Sequence, residues 1–188
     1  MKTANRAVAL IFTIIFALGA QIAASPVGAQ TQTLDDLFED LLVADENSWE
    51  DIEKQIWTQW SKSGSKSMDY LLERGRAEMD KGNVNEAIGH FSALIDHAPD
   101  FAEGWNARAT AWFVADRYGL SIADIRQTLL LEPRHFGALA GLGMIMERMD
   151  RPEAALQVYQ EAEKIHPHRP DVKAALERLK DQVEGVEL

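Results

Sequence analysis

Three of the six prolines in this 188-residue chain share one fixed interval, since Pro99, Pro133 and Pro167 lie 34 residues apart. Four other positions keep the same step, so each interval holds two small residues, two bulky ones and a closing proline. A period of this length is typical of a helix–turn–helix unit that stacks on copies of itself, because one helical hairpin cannot bury its apolar face alone. The positions in register are Leu71, Trp105 and Leu139; Gly75, Ala109 and Gly143; Ala87, Ser121 and Ala155; and Phe91, Ile125 and Tyr159.

This pattern resembles the tetratricopeptide repeat (TPR) family over three consecutive units, 68–101, 102–135 and 136–169. The third unit is closest to the family pattern. The first carries Glu78 where an aromatic ring is usual, and the second carries Ser121 where alanine is usual. The resemblance implies an all-α, right-handed α-solenoid in which the first helix of each unit lines a concave groove for extended or helical peptides.

Helical periodicity continues on both sides of the three units. Thr33 can cap a short helix, and a second helix carries Trp57 and Trp60. We predict a degenerate helical pair and linker over 30–67, with both tryptophans holding the pair to the first unit. We also predict a C-terminal capping helix and tail over 170–188, because stacked repeats need a polar-faced end.

Turn residues favour the same register. Gly82 can end a helix in the left-handed conformation, and the three spaced prolines stop each second helix. Asp100 with Glu103 is predicted to form a capping box at the start of the second unit.

The first 29 residues have the composition of a secretory signal peptide. Two basic residues precede an apolar run that begins at Ala7, and small residues offer a cleavage site after Ala29. We predict a signal peptide over 1–29 and a periplasmic mature chain, because the sequence resembles small exported TPR proteins of Gram-negative bacteria. The alternative is an uncleaved anchor, since the 18 residues from Ala7 to Ala24 are just long enough to span a bilayer.

The charge of the chain narrows the choice of partner. Its formal net charge is −11 and becomes −13 once Lys2 and Arg6 are removed with the signal peptide. Binding to nucleic acid or to anionic lipid depends on clustered Lys and Arg, so we expect no nucleic-acid partner and no membrane association after cleavage. The chain contains no cysteine, which excludes disulfides and a lipid anchor on cysteine.

The groove-lining face of the family, mapped onto the first helix of each unit, gives nine candidate binding residues. Together they predict a soft apolar floor with two guanidinium groups, since Met adapts to irregular surfaces and Arg can pair with a carboxylate through two hydrogen bonds. The alternative is that the larger side chains only pack between neighbouring helices. The nine residues are Arg76, Met79, Asn106, Thr110, Phe113, Ala140, Met144, Glu147 and Arg148.

Three glycines fall in the first helix of the third unit, although each costs about 1 kcal/mol relative to alanine inside a helix. Gly143 occupies the position of the repeat at which small residues recur, so we attribute this glycine to tight packing between helices. Gly137 and Gly141 are expected to face the groove. They would either let a ligand backbone approach or permit close contact with the preceding helix, and the sequence favours neither.

No catalytic or cofactor-binding motif is recognisable. His90 and His97 lie about 10 Å apart along one helix at about 1.5 Å per residue, too far to share a zinc ion. His166 and His168 flank a proline in what we expect to be a solvated turn. We predict no metal site and no cofactor.

The sequence thus predicts a non-enzymatic scaffold that binds a peptide segment or protein partner in cell-envelope assembly or maintenance. One alternative is an inner-membrane-anchored assembly factor. The other is an enzyme or an accessory subunit of an envelope enzyme, with carboxylates such as Asp116 or Asp124 at work.

Overall fold

A computed structural model of the chain describes residues 32–185, which contain nine α-helices and no strand. The predicted signal peptide at 1–29 lies outside the described residues. The helices are α1 (Leu34–Val43), α2 (Trp49–Trp60), α3 (Lys66–Asp80), α4 (Val84–His97), α5 (Ala102–Val114), α6 (Tyr118–Leu131), α7 (Phe136–Arg148), α8 (Pro152–Ile165) and α9 (Pro170–Glu184).

Helices α3 to α8 form three helical hairpins that stack in sequence order, with α4 against α5 and α6 against α7. Within the first and third hairpins, a glycine of the first helix lies under an aromatic ring of the second. Gly75 contacts Phe91, and a Cβ atom added to Gly143 would come within 2.7 Å of the Tyr159 ring. This small-against-large packing explains why a small residue and an aromatic ring recur together in the first and third units.

The turn inside each hairpin repeats as closely as the helices do. Gly82, Asp116 and Asp150, again 34 residues apart, have positive φ angles of 79°, 56° and 55°. The next residue then donates its N–H to a carbonyl five residues earlier, as Arg151 does to Met146 at 3.0 Å, which closes the first helix. Each second helix ends two residues before its proline, as predicted.

Helix α9 covers the open face of the third hairpin. Val172, Leu176 and Leu179 are each at most 2% exposed and pack in one cluster with Tyr159 and Ala162 of α8. Because the last repeat has no successor, this apolar face would otherwise meet water. The expected capping helix is confirmed.

Helices α1 and α2 form a separate N-terminal hairpin. Thr33 caps α1 as predicted, since its hydroxyl accepts the N–H of Asp36 at 3.2 Å and the Asp36 carboxylate accepts the N–H of Thr33 at 2.9 Å. Leu37, Leu41 and Ile56 fill the space between the two helices and are at most 1% exposed.

The position of this N-terminal hairpin differs from the prediction. Trp57 and Trp60 do not hold it to the first repeat but pack against the ring of Phe136, at the start of α7, with ring centres 5.6 and 4.9 Å apart. Ile165, at the end of α8, belongs to the same cluster. The third repeat offers this apolar surface, whereas the exposed positions of α3 include Lys66 and Glu73.

Candidate functional site

A cavity of about 330 Å³ opens between α5, α6 and α7, where we predicted the groove. Its floor is apolar and includes Ala109, Ile125 and Ile145, of which none is more than 3% exposed. Five of the nine predicted groove residues line this cavity, namely Asn106, Thr110, Phe113, Ala140 and Met144.

The polar groups around the cavity are largely bound within the protein. Thr110 donates its hydroxyl to the carbonyl of Asn106 at 3.0 Å, and Ser121 donates to the carbonyl of Ala109 at 2.7 Å. Met144 and Val114, by contrast, are 46% and 52% exposed. The surface offered to a ligand is therefore mainly apolar, with an accessible methionine and valine at its rim.

Two further predicted residues lie at or beyond the rim. The Arg148 guanidinium stands 6.0 Å from the centre of the Phe113 ring. Glu147 turns away from the cavity, because its carboxylate accepts hydrogen bonds from Tyr159 at 2.9 Å and from Arg178 at 2.5 Å. Burial alone would raise the pKa of Glu147, but these two donors hold it below its ordinary value. Glu147 is thus engaged in joining α7 to α8 and α9.

The remaining two predicted residues are not in the cavity. Met79 packs against the core cluster around Phe91. The Arg76 guanidinium binds the Glu103 carboxylate and donates to the Ser61 hydroxyl at 3.0 Å. Whether any of the nine residues contacts a ligand stays a prediction.

Glu103 does not take the role that the sequence analysis gave it. It forms no capping box with Asp100 but points inward, 3% exposed, and accepts hydrogen bonds from Arg76, from Asn106 at 3.0 Å and from His135 at 3.0 Å. The sequence did carry a signal for this position, because Glu103 lies one helical turn before Asn106 on the same face of α5. Extending the predicted groove-lining face of α5 by one turn toward its N-terminus would have included Glu103.

His135 links this polar cluster to the N-terminal hairpin. Its Nδ1 accepts the N–H of Ala138 at 3.1 Å, so the proton sits on Nε2, which donates to Glu103. The Trp60 indole stacks on the imidazole, with 4.0 Å between ring centres and 8° between planes. This part of the groove, from Glu103 to His135, is therefore covered by α2.

The two groove-facing glycines have different neighbours. A Cβ atom on Gly137 would come within 2.6 Å of the Trp57 ring, so this glycine makes room for α2 and not for the preceding helix. A Cβ atom on Gly141 would meet only a methyl group of Ile125, at 3.9 Å, and Gly141 faces the cavity. Both glycines line the cavity, but the Trp57 ring lies against Gly137, so Gly141 leaves its backbone more open to a ligand.

The other anchor of the N-terminal hairpin is Glu53 of α2. Its carboxylate accepts the indole N–H of Trp57 at 3.2 Å and lies 3.5 Å from the Arg169 guanidinium and 3.6 Å from Nε2 of His166. Burial would raise the pKa of Glu53, but the adjoining His166 ring, the indole and the guanidinium hold it below its ordinary value.

The prediction that His166 lies in a solvated turn is wrong. The imidazole is 0% exposed and meets the rings of Trp49 and Phe136 edge-on, with centres 5.6 and 4.8 Å away. The proline between the two histidines correctly indicated a turn. Sequence offered no sign that α2 would cover that turn.

The described residues offer little support for a catalytic carboxylate, a metal site or a membrane-spanning helix. Both carboxylate oxygens of Asp124 are bound by Arg108, at 2.7 and 2.9 Å, and the aspartate is 5% exposed. Between residues 32 and 185, no three potential metal ligands come together. Over the same range, none of the helices combines the length and hydropathy that a bilayer span requires.

Two solved structures show the same fold at low identity. The first TPR of Spaghetti (RPAP3), bound to an HSP90 peptide, matches with a TM-score of 0.61 and 19% identity, over 64% of this chain and 95% of that one. The Yersinia enterocolitica type III secretion chaperone SycD, in complex with a peptide of the translocator YopD, matches with a TM-score of 0.59 and 14% identity, over 63% and 95%.

Sequence comparison adds a relative and a family. A TPR repeat-containing protein of Rhizobium etli is 30% identical over 155 residues, which cover 82% of this chain and 76% of the relative. A family model described as "Tetratricopeptide repeat" matches residues 72–128 and 115–170, more than half of the chain. With three stacked hairpins in the 34-residue register, this chain belongs to the tetratricopeptide repeat family.

Proposed function

We propose that this protein is a non-enzymatic periplasmic scaffold that binds a peptide segment or protein partner during cell-envelope assembly or maintenance. The observation that carries the proposal is the apolar cavity between α5 and α7, which opens on the first helices of the repeats. Its exposed rim supplies Met144 and Val114 as apolar anchors, with the Arg148 guanidinium beside Phe113.

The family and the dimensions of the site support this proposal. Both solved neighbours described above hold a peptide, and their folds match 64% and 63% of this chain. The cavity volume of about 330 Å³ is at the lower end for ligand sites, which suits one or two apolar side chains of a peptide better than a large small molecule.

Site-specific photo-crosslinking tests the binding surface. A photoreactive amino acid at position 144 should form an adduct with a partner in the cell envelope. The same group at position 130 should form none, because Leu130 is 74% exposed on α6 but lies outside the cavity. Mass spectrometry of the adduct then identifies the bound segment.

A second substitution connects the adduct to the cavity. Phe113→Ala should reduce the yield of the position-144 adduct at least tenfold, since Phe113 lines the cavity, while helix content measured by circular dichroism stays the same. Equal adducts at positions 144 and 130, or an adduct that survives Phe113→Ala unchanged, would contradict the proposal.

The mass of the mature protein separates the proposal from the anchored alternative. We expect the periplasmic fraction to hold a chain that begins at Gln30. Recovery of the full-length chain in the membrane fraction would favour the anchored assembly factor. An accessory enzyme role would be supported if Asp116→Asn abolished an envelope activity without altering the position-144 adduct.

A further inference from the structure

Helix α2 already occupies part of the groove in which the proposed function places a partner. Trp60 stacks on His135, and His135 binds Glu103, which binds Arg76. These last three residues come from the N-cap of α7, from α5 and from α3, so α2 rests on a cluster that joins the start of α7 to the two preceding groove helices.

The contacts of α2 follow a simple pattern along its sequence. Trp57 and Trp60 are three positions apart and present their indoles to Gly137 and His135. Glu53, one turn earlier, faces Arg169 and His166. The acceptor surface is therefore complementary to a helix with two aromatic residues three positions apart and a glutamate four positions before the first.

The attachment of α2 to the repeats has the features of a contact that can open. The backbone of α2 packs closely on α1 and only sparsely on the repeat helices, α3 included, and a serine-rich segment, 61–65, joins α2 to α3 through Gly64 with a φ angle of 82°. Among residues 32–185, three buried side-chain nitrogens lack a hydrogen-bond partner; at this interface they include Trp60 Nε1, and also His166 Nε2, which lies 3.6 Å from the Glu53 carboxylate, too far for an ordinary hydrogen bond. Each unpaired group weakens the docked state.

The covered and open parts of the groove are physically continuous. Gly137 and Arg169 line the cavity and also contact α2, through Trp57 and Glu53. A ligand chain that leaves the cavity toward Glu103 therefore meets α2 first. A long ligand has to displace it.

From this arrangement we propose that α2 is an exchangeable occupant of the groove, which a partner helix carrying the same spacing of one glutamate and two aromatic residues replaces. The inference rests on the proposed function, because it names the class of partner for the same groove. It adds that the free protein is self-occupied, so that partner binding competes with docking of the N-terminal hairpin.

The absence of cysteine from the chain makes a direct test possible. Asp35 and Arg134 form an exposed ion pair of 2.7 Å between α1 and the turn before α7. In an Asp35→Cys/Arg134→Cys variant, a short bis-maleimide locks the N-terminal hairpin to the turn before α7. The same variant without the linker is the matched control, because it lacks the same two contacts of Arg134: the surface ion pair with Asp35 and the placement of the guanidinium over the Phe38 ring, 4.2 Å from its centre.

Native-state hydrogen exchange measures whether the N-terminal hairpin opens alone. In the wild-type chain, amides of α1 and α2 should exchange at least tenfold faster than those of α7 and α8, and locking should remove the difference. Equal protection of α2 and α7 in the wild-type chain would overturn the proposal, because α2 would then leave only on global unfolding.

A synthetic peptide of residues 46–62 is the binding probe. It should bind the unlocked variant and bind the locked one at least tenfold more weakly. The same peptide with Trp57→Ala and Trp60→Ala should bind neither. Absence of binding to the unlocked variant, or equal binding to both, would overturn the proposal.

The outcome separates this inference from the proposed function. If the peptide fails while the position-144 adduct still forms, the groove binds a partner and α2 is a fixed part of the fold. If the peptide binds the unlocked variant and no envelope adduct forms, α2 is exchangeable and the proposed function fails.

Discussion

Gly143 lies under the ring of Tyr159, where an added Cβ atom would come within 2.7 Å of ring carbons. Gly143→Leu should therefore overfill the space between α7 and α8 and lower the free energy of unfolding by about 1–3 kcal/mol, measured by urea denaturation. Gly141→Ala is the control in the same helix. It faces the cavity and should raise stability by up to about 1 kcal/mol through helix propensity. A wild-type urea midpoint for Gly143→Leu would contradict the packing described.

The turn residue Asp150 is held at a φ angle of 55°, a conformation that costs a residue with a Cβ atom more than it costs glycine. Asp150→Gly should stabilise the protein by about 0.5–1 kcal/mol, seen as a higher melting temperature. Asp116→Gly, at the equivalent turn, should raise the melting temperature less, because it removes the carboxylate that accepts a hydrogen bond of 2.8 Å from the Tyr118 hydroxyl. A lower melting temperature for Asp150→Gly would show that its carboxylate stabilises the turn.

At the scale of helices, the 34-residue repeat could be predicted because the residues that mark it are close together in sequence and recur at a fixed interval. Small residues, bulky residues and prolines recur every 34 positions, and each fixes a contact within one hairpin or between neighbours. The docking of α2 was not predictable in this way. The residues Trp57 and Trp60 indicate burial, but their partner Phe136 is remote in sequence and outside the repeated pattern.

The residues of the candidate site likewise fall into those that local spacing predicts and those that long-range packing decides. The cavity residues Asn106, Phe113 and Met144 follow from helical spacing within single helices, and the structure brings them together. Arg76 was expected in the same groove, but it binds Glu103, and α2 covers the neighbouring His135. Sequence spacing shows which residues share a helix face, and long-range packing decides whether that face is open.

Glu53 gives the docked N-terminal hairpin a pH dependence of defined sign. Its pKa is lower in the folded chain than the ordinary value of 4.5, so it stabilises the fold above that pH, and the contribution is lost as the pH falls through the lowered pKa. Glu53→Gln should lower the melting temperature at about pH 6.5 and lower it less at about pH 3.5, because the latter pH lies below the ordinary pKa of the carboxyl group. Glu50→Gln, an exposed control on the same helix, should change little at either pH. An equal effect of Glu53→Gln at both pH values would exclude this role.

For the molecule as a whole, a destabilising substitution should loosen the helices that contact the altered one, whether or not they are its neighbours in sequence. Leu176 of α9 is 2% exposed, and Leu176→Ala should cost about 2–5 kcal/mol. By hydrogen exchange, α8 and the N-terminal hairpin should loosen more than α3 and α4, because the hairpin contacts the α8–α9 turn. Leu72→Ala, equally buried in the first repeat, should loosen α3 and α4 more than α1. The reverse pattern would place the hairpin on the first repeat.

The ion pair between Asp35 and Arg134 joins residues 99 positions apart, which has a consequence for the order of folding. A ribosome completes α1 and α2 first, yet their apolar surface finds Phe136 and Ile165 only after the third repeat has been made. Until then the faces of Trp57 and Trp60 that Phe136 covers remain exposed on the nascent chain. The earliest helices to be synthesised can thus form their own hairpin at once but dock on the repeats only after about a hundred further residues have been made, and during that interval their uncovered aromatic surface is open to non-native association.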